Sequence, residues 1–144
     1  MQEDDYSYEN LKRFAYIDCV IKETIRYYPP VNRLFTKVAL EDGFVNEIPI
    51  KKGTLLNIQT LGVHYSEQYY KNPTEYRPER WVSECDNIPT YAFNGFSGGP
   101  RTCIGKHLAQ LEAKISLIKF MKRYKKIELP TKNIKMKFGF VYDF

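Results

Sequence analysis

The sequence predicts an α+β chain, mainly α. Three observations predict it: a helical period near each end, short strand-like runs after the first, and a long stretch with no period. The first period covers Leu11–Tyr28, where Leu11, Phe14, Ala15, Cys19 and Ile21 or Ile25 recur at three- and four-residue steps. Pro29-Pro30 ends it, because proline lacks an N–H and disfavours helix in the residue before it. Leu34–Leu40, Phe44–Ile50 and Thr54–Thr60 read as strands, separated by the turn sequences Glu41-Asp42-Gly43 and Lys51-Lys52-Gly53. A small sheet of hairpins is the expectation. From about Tyr65 to Pro100 four prolines and three glycines break every period. A loop of that length counts either against the element assignment or in favour of a functional loop. Next, Ile104, Leu108, Leu111, Ile115, Ile118 and Met121 predict a strongly amphipathic helix. Its end carries Lys119, Lys122, Arg123, Lys125 and Lys126, which suits the negative pole of a helix dipole. Ile127–Phe144 reads as one or two strands.

With 144 residues, 43% apolar and 27% charged, the chain is one ordinary domain at most and not a disordered polymer. No apolar run is long enough to span a bilayer, and the acidic start Met1–Glu9 is unlike a signal peptide. Three cysteines are too few for a disulfide scaffold, so a reducing compartment is the default. The net charge of +5 is modest and its basic residues cluster at one helix end, which argues against nucleic acid. Twelve tyrosines and nine phenylalanines make the chain ring-rich, and rings need something flat or bulky to pack against.

The chemistry concentrates in Phe96-Ser97-Gly98-Gly99-Pro100-Arg101-Thr102-Cys103-Ile104-Gly105. Two glycines and a proline preset a tight turn, and Cys103 follows where the second long helix is expected to begin. A thiolate there would face free helix N–H groups. Arg101 is a fixed cation suited to a ligand carboxylate, and Gly105 would let a flat ligand approach closely. One thiolate in such a turn is what iron in a macrocycle requires. The plain alternative is an inert buried cysteine. A zinc site is a weaker one: Cys103 and His107 lie one helical turn apart, but Cys85 and His64 are isolated.

The segment resembles the heme-binding loop of the cytochrome P-450 superfamily, the heme-thiolate monooxygenases, whose pattern is Phe-x-x-Gly-x-Arg-x-Cys-x-Gly. Phe96, Gly99, Arg101, Cys103 and Gly105 fill every fixed position. Glu23-Thr-Ile-Arg26 is similar to the family's Glu-x-x-Arg helix motif. Tyr76-Arg-Pro78-Glu79-Arg80-Trp81 resembles its Pro-Glu-Arg-Phe segment, with Trp for Phe.

The resemblance implies an incomplete C-terminal heme-binding part of that fold. Its parts are a Glu-x-x-Arg helix, a small β-sheet, an irregular meander, a cysteine loop and a long proximal helix. Residues 1–144 are expected to be a single partial domain, the C-terminal third of a family member. It also implies heme b, iron protoporphyrin IX, ligated through Cys103. Glu23 and Arg26, three apart on one helix face, would be joined by Arg80 in a buried triad. Phe96 would sit beside the sulfur, and His64 near a heme propionate together with Arg101. An arginine after the Pro-Pro pair contacts a propionate in many members; here Arg33 falls too early and the usual slot is nearer Thr36 or Lys37, so that role is unassigned. Leu34, Phe35 and Thr36 resemble a substrate-facing strand.

The expected activity of full-length relatives is oxygen insertion into a small, lipophilic organic substrate. They use O2 and electrons from an NADPH-dependent reductase or a ferredoxin, often on the endoplasmic reticulum membrane. The distal helix with its acid–alcohol pair has no counterpart here, so the chain reads as a fragment with little turnover of its own. Two other readings are a non-catalytic heme-binding or interaction remnant using Lys119–Lys126, and a relative that rearranges peroxides.

Overall fold

The computed structural model describes residues 6–31 and 36–128. Helix α1 (Tyr8–Lys12) and helix α2 (Ala15–Tyr27) take the place of the single helix expected over Leu11–Tyr28. The break is at Arg13-Phe14, where Arg13 and Phe14 N–H bond to carbonyls three residues back and Phe14 leaves the helical region (φ −99°, ψ 46°). A three-residue step tightens the turn and rotates the following face. The periodicity survives this because Leu11, Cys19 and Ile21 are all still buried. At the other end Tyr28 leaves the helical region (φ −126°, ψ 68°) before Pro29, which disfavours helix there.

The strand region makes two small antiparallel pairs rather than one sheet. Strand β1 (Lys37–Val38) pairs with β4 (Leu55–Leu56), and β2 (Gly43–Val45) with β3 (Ile48–Ile50). Phe44–Ile50, expected as one strand, is itself a hairpin that turns at Asn46 with φ 53°. Asparagine tolerates that left-handed conformation, and a turn of this kind hides inside an apolar run. Thr54–Thr60 is likewise split, since helix α3 (Thr60–His64) starts at its last residue. Arg33, Leu34 and Phe35 lie outside the described residues, as does 129–144, where the final strands were expected.

The aperiodic stretch holds helix α4 (Arg80–Ser83) and two single 3-10 turns, Cys85–Asn87 and Gly99–Arg101. Helix α5 (Lys106–Arg123) then packs against α2, tied to it by Lys114 Nζ on Asp18 Oδ2 at 2.7 Å. Its expected apolar stripe is not one buried face. Ile118 is buried and Ile115 half-buried, but Ile104, Leu108, Leu111 and Met121 are exposed. Periodicity names the apolar side of a helix, not what covers it.

Just before the cysteine loop, the chain packs against α2 at Gly95. A Cβ there would lie 2.3 Å from Ile25 Cγ2. Ile25 is β-branched on a helix, so its χ1 has little freedom to yield. Gly95→Ala is therefore expected to cost about 1–3 kcal/mol, and Ile25→Ala in the same chain to return part of it. Urea midpoints of the four proteins in that cycle check this; a single mutant melting like wild type would contradict it.

Candidate functional site

Glu23, Arg26 and Arg80 all have side chains with no solvent exposure. Glu23 Oε1 accepts from Arg26 Nη2 (2.8 Å), the Arg77 main-chain N–H (2.9 Å) and Arg80 Nε (3.0 Å). Its Oε2 accepts from Arg26 Nε and from the Trp81 indole N–H, both at 3.0 Å. Five donors on one carboxylate satisfy it, as a buried charge requires. Burial alone would raise the Glu23 pKa. The hydrogen bonds from Arg26, Arg77 and Arg80 outweigh it and hold the carboxyl below its ordinary value.

The guanidinium groups spend their remaining donors on main-chain carbonyls. Arg26 bonds to His64, Pro73 and Glu75, and Arg80 to Lys71, Asn72 and Glu75, at 2.8–3.3 Å. Both lie over the ring of buried Tyr70, 5.2 and 5.9 Å from its centroid. Residues 65–79 form no regular helix or strand, so their carbonyls have no ladder, and the two arginines stand in for one. The network is what lets an irregular meander fold tightly onto α2.

Trp81, Arg77 and Tyr70 belong to this network without having been singled out from sequence. Trp81 alone left a trace there, as the residue that replaces phenylalanine. Its indole N–H is a donor that a phenyl ring lacks.

His64, expected near a propionate together with Arg101, lies inside the fold. The residue is completely buried, stacked 5.8 Å from Phe93 and edge-on to Tyr70. Its Nε2 accepts from the Asn94 main-chain N–H at 3.3 Å, so the proton sits on Nδ1, which donates to the Arg26 carbonyl at 3.1 Å. Both ring nitrogens are used. Burial lowers its pKa to about 4.

The loop that carries Cys103 is closed on itself. Ser97 N–H donates to Asn94 C=O and Cys103 N–H to Phe96 C=O, each at 2.9 Å. Ser97 and Gly99 are both left-handed, at φ 62° and 71°. Thr102 Oγ1 also reaches the Phe96 carbonyl, at 3.3 Å. The structure thus brings Phe96 and Cys103 together, with Phe96 half-buried and Cys103, Arg101 and Gly99 exposed. Cys103 lies just before α5 rather than in it: Gly105 caps the helix, and Lys106 N–H donates to Cys103 C=O at 3.2 Å. A Cβ on Gly105 would sit 3.8 Å from Cys103 Sγ, so glycine leaves the space beside the sulfur clear. Ile104, next in sequence to Cys103, and Leu108, in the first turn of α5, present apolar surface to solvent.

Among the described residues no three His, Cys, Asp or Glu side chains converge as a metal-ligand set. The site is therefore one exposed sulfur on a loop closed by its own main chain, with Arg101, Ile104 and Leu108 exposed nearby in sequence. That donor set fits a flat, largely apolar group that brings its own ligands and carries anionic edges. Among the described residues, no helix is long and apolar enough to cross a membrane.

The family model described as Cytochrome P450 matches residues 1–142. Similar proteins include Cytochrome P450 3A15 of Cavia porcellus, 34% identical over 119 residues, which are 82% of this chain and 24% of that protein. Cytochrome P450 3A13 of Mus musculus is 35% identical over 132 residues, 88% of this chain and 26% of its own length. Cytochrome P450 4V2 of Mus musculus is 39% identical over 117 residues, 81% and 22% respectively. The chain spans about a quarter of the length of these relatives. By the match along nearly all of its length, the chain belongs to the cytochrome P450 family.

Proposed function

We propose that the chain is the heme-binding portion of a cytochrome P450 monooxygenase, an oxidoreductase that inserts one oxygen atom of O2 into an organic substrate. The observation that carries this reading is the exposed Cys103 sulfur on a loop braced by its own main chain, with Gly105 leaving its side open. Cys103 would hold the iron, Arg101 would pair with a propionate, and Phe96 would cover the sulfur from the protein side. Gly99 makes the left-handed turn that brings Arg101 round. The heme, when bound, supplies oxygen activation, to which the thiolate contributes electron density.

The chain's own part is binding, orientation and exclusion of water from the sulfur. Its sequence holds no Ala/Gly-Gly-x-Asp/Glu-Thr-Thr segment to deliver protons from the opposite side. Turnover by the isolated chain is therefore expected to be negligible. Small lipophilic substrate, O2 and a reductase or ferredoxin belong to the activity of a longer protein.

The test is a hemin titration of wild type and Cys103→Ala, followed by dithionite and carbon monoxide. Wild type is expected to give the red-shifted Soret band of a thiolate-ligated heme, and Cys103→Ala to lose it. Identical spectra would overturn the ligand assignment, and steady product with NADPH and a reductase would overturn the expected inactivity.

A further inference from the structure

We propose that His64 is a positioning residue, a neutral imidazole that bolts the base of the cysteine loop to helix α2. The ring bridges two main-chain groups that nothing in the local sequence brings together. On one side Nδ1–H donates to the Arg26 carbonyl, while Arg26 Nη1 donates back to the His64 carbonyl at 2.8 Å. That double link fixes α3 against α2, so the ring has no freedom to swing. On the other side Nε2 takes the Asn94 N–H.

Asn94 is the base of the loop. Its carbonyl accepts from Ser97, and two residues on, the Phe96 carbonyl accepts from Cys103. The side-chain Oδ1 of Asn94, although buried, has no hydrogen-bond partner among the described residues. Asn94 joins the ring to the loop through its main-chain N–H and carbonyl. The stacked Phe93 ring, at 5.8 Å and 10° to the imidazole, keeps the residue before Asn94 in register with His64. A continuous path runs from the Glu23–Arg26 pair through His64 and Asn94 to the residue that presents the thiol.

The geometry needs histidine for a chemical reason. The bridge calls for a donor at one end and an acceptor at the other on one flat, stackable ring, and only a neutral imidazole offers both. A lysine or arginine has no acceptor, and a phenylalanine has neither group. The link is to the loop and not to any ligand; what the loop is for rests on the function proposed above.

Three measurements on the full chain test this. Long-range 1H–15N spectra of wild type at neutral pH are expected to show the Nδ1–H tautomer; an Nε2–H tautomer or an imidazolium would overturn the proposal. In His64→Phe, which keeps the ring stack, amide exchange at Asn94 and Cys103 is expected to quicken about tenfold relative to Cys19 and Ile118. His64→Gln, which keeps an acceptor within reach of Asn94, is expected to recover most of that protection. Equal quickening at all four amides, or a glutamine variant no better than phenylalanine, would mean general structural support only and would overturn it. Should His64→Phe fail to fold, the tautomer and the glutamine variant still decide. After hemin loading, the thiolate-type carbon monoxide band should weaken in His64→Phe and return in His64→Gln; an unchanged band in a folded phenylalanine variant would count against positioning. If wild type takes no hemin, the function fails while the exchange result still judges the bridge.

Discussion

Glu23→Ala is expected to leave the chain unfolded, or destabilised by at least about 3–5 kcal/mol, the range for breaking a buried ion pair by removing one partner. The substitution strands two guanidinium groups with no solvent exposure, and it orphans the Arg77 N–H and the Trp81 indole N–H as well. Neither arginine can retreat to water, because each is pinned to carbonyls of the meander. Glu23→Gln, which preserves shape and removes the charge, should fall short of wild type by a similar margin. Arg80→Ala strands no excess cation, but frees the carbonyls of Lys71, Asn72 and Glu75, and should loosen the meander. Trp81 is the only tryptophan and its indole touches Glu23, so its fluorescence reports the site directly in a urea titration. A Glu23→Gln midpoint within about 1 kcal/mol of wild type is what a surface pair would give. That result would sink the assignment of this network as the anchor of the meander.

Much of this was legible in the residues, and the rest failed for identifiable physical reasons. Glu23 and Arg26 share a helix face at a spacing of three, which any sequence displays. That the Arg77 main chain and Trp81 would complete the carboxylate's shell could not be read, because an N–H has no residue type and the meander has no period. For His64 the resemblance named a propionate; its partners among the described residues are a carbonyl and an N–H, groups that every position carries. The hairpin at Asn46 was hidden because a left-handed asparagine needs no glycine beside it. The stripe on α5 was correctly seen as apolar, yet most of it is open, since periodicity carries no information about the neighbour. The turn that carries Phe96, Gly99, Arg101, Cys103 and Gly105 was legible for the opposite reason. Its conformation is local, and a turn built of glycine and proline encodes its own shape.

Acid is expected to weaken the fold in two stages, the first set by His64. Burial lowers the imidazole from 6.5 to about 4, its hydrogen bond to the Arg26 carbonyl working in the other direction. An unfolded histidine keeps a pKa near 6.5. Between these values the unfolded chain binds a proton that the folded chain refuses, so stability falls as pH falls through the window and is unaffected by this group above it. At about 1.4 kcal/mol per pH unit the loss reaches about 3 kcal/mol at pH 4. The charges facing the ring are Arg26, which opposes protonation, and Glu23, which favours it, with uncharged Tyr70 edge-on beside them. Glu23 itself is held below its ordinary pKa, so its contribution disappears only as the pH falls through that lower value, which makes the second stage. Urea midpoints taken at intervals from neutral pH downward separate the two. His64→Gln should flatten the slope between pH 6.5 and 4 while leaving the lower stage in place. Parallel slopes for the two proteins would mean that the folded chain protonates His64 as readily as the unfolded one. A protonated Nε2 has no lone pair for Asn94, so the bridge to the cysteine loop could not then stand as drawn.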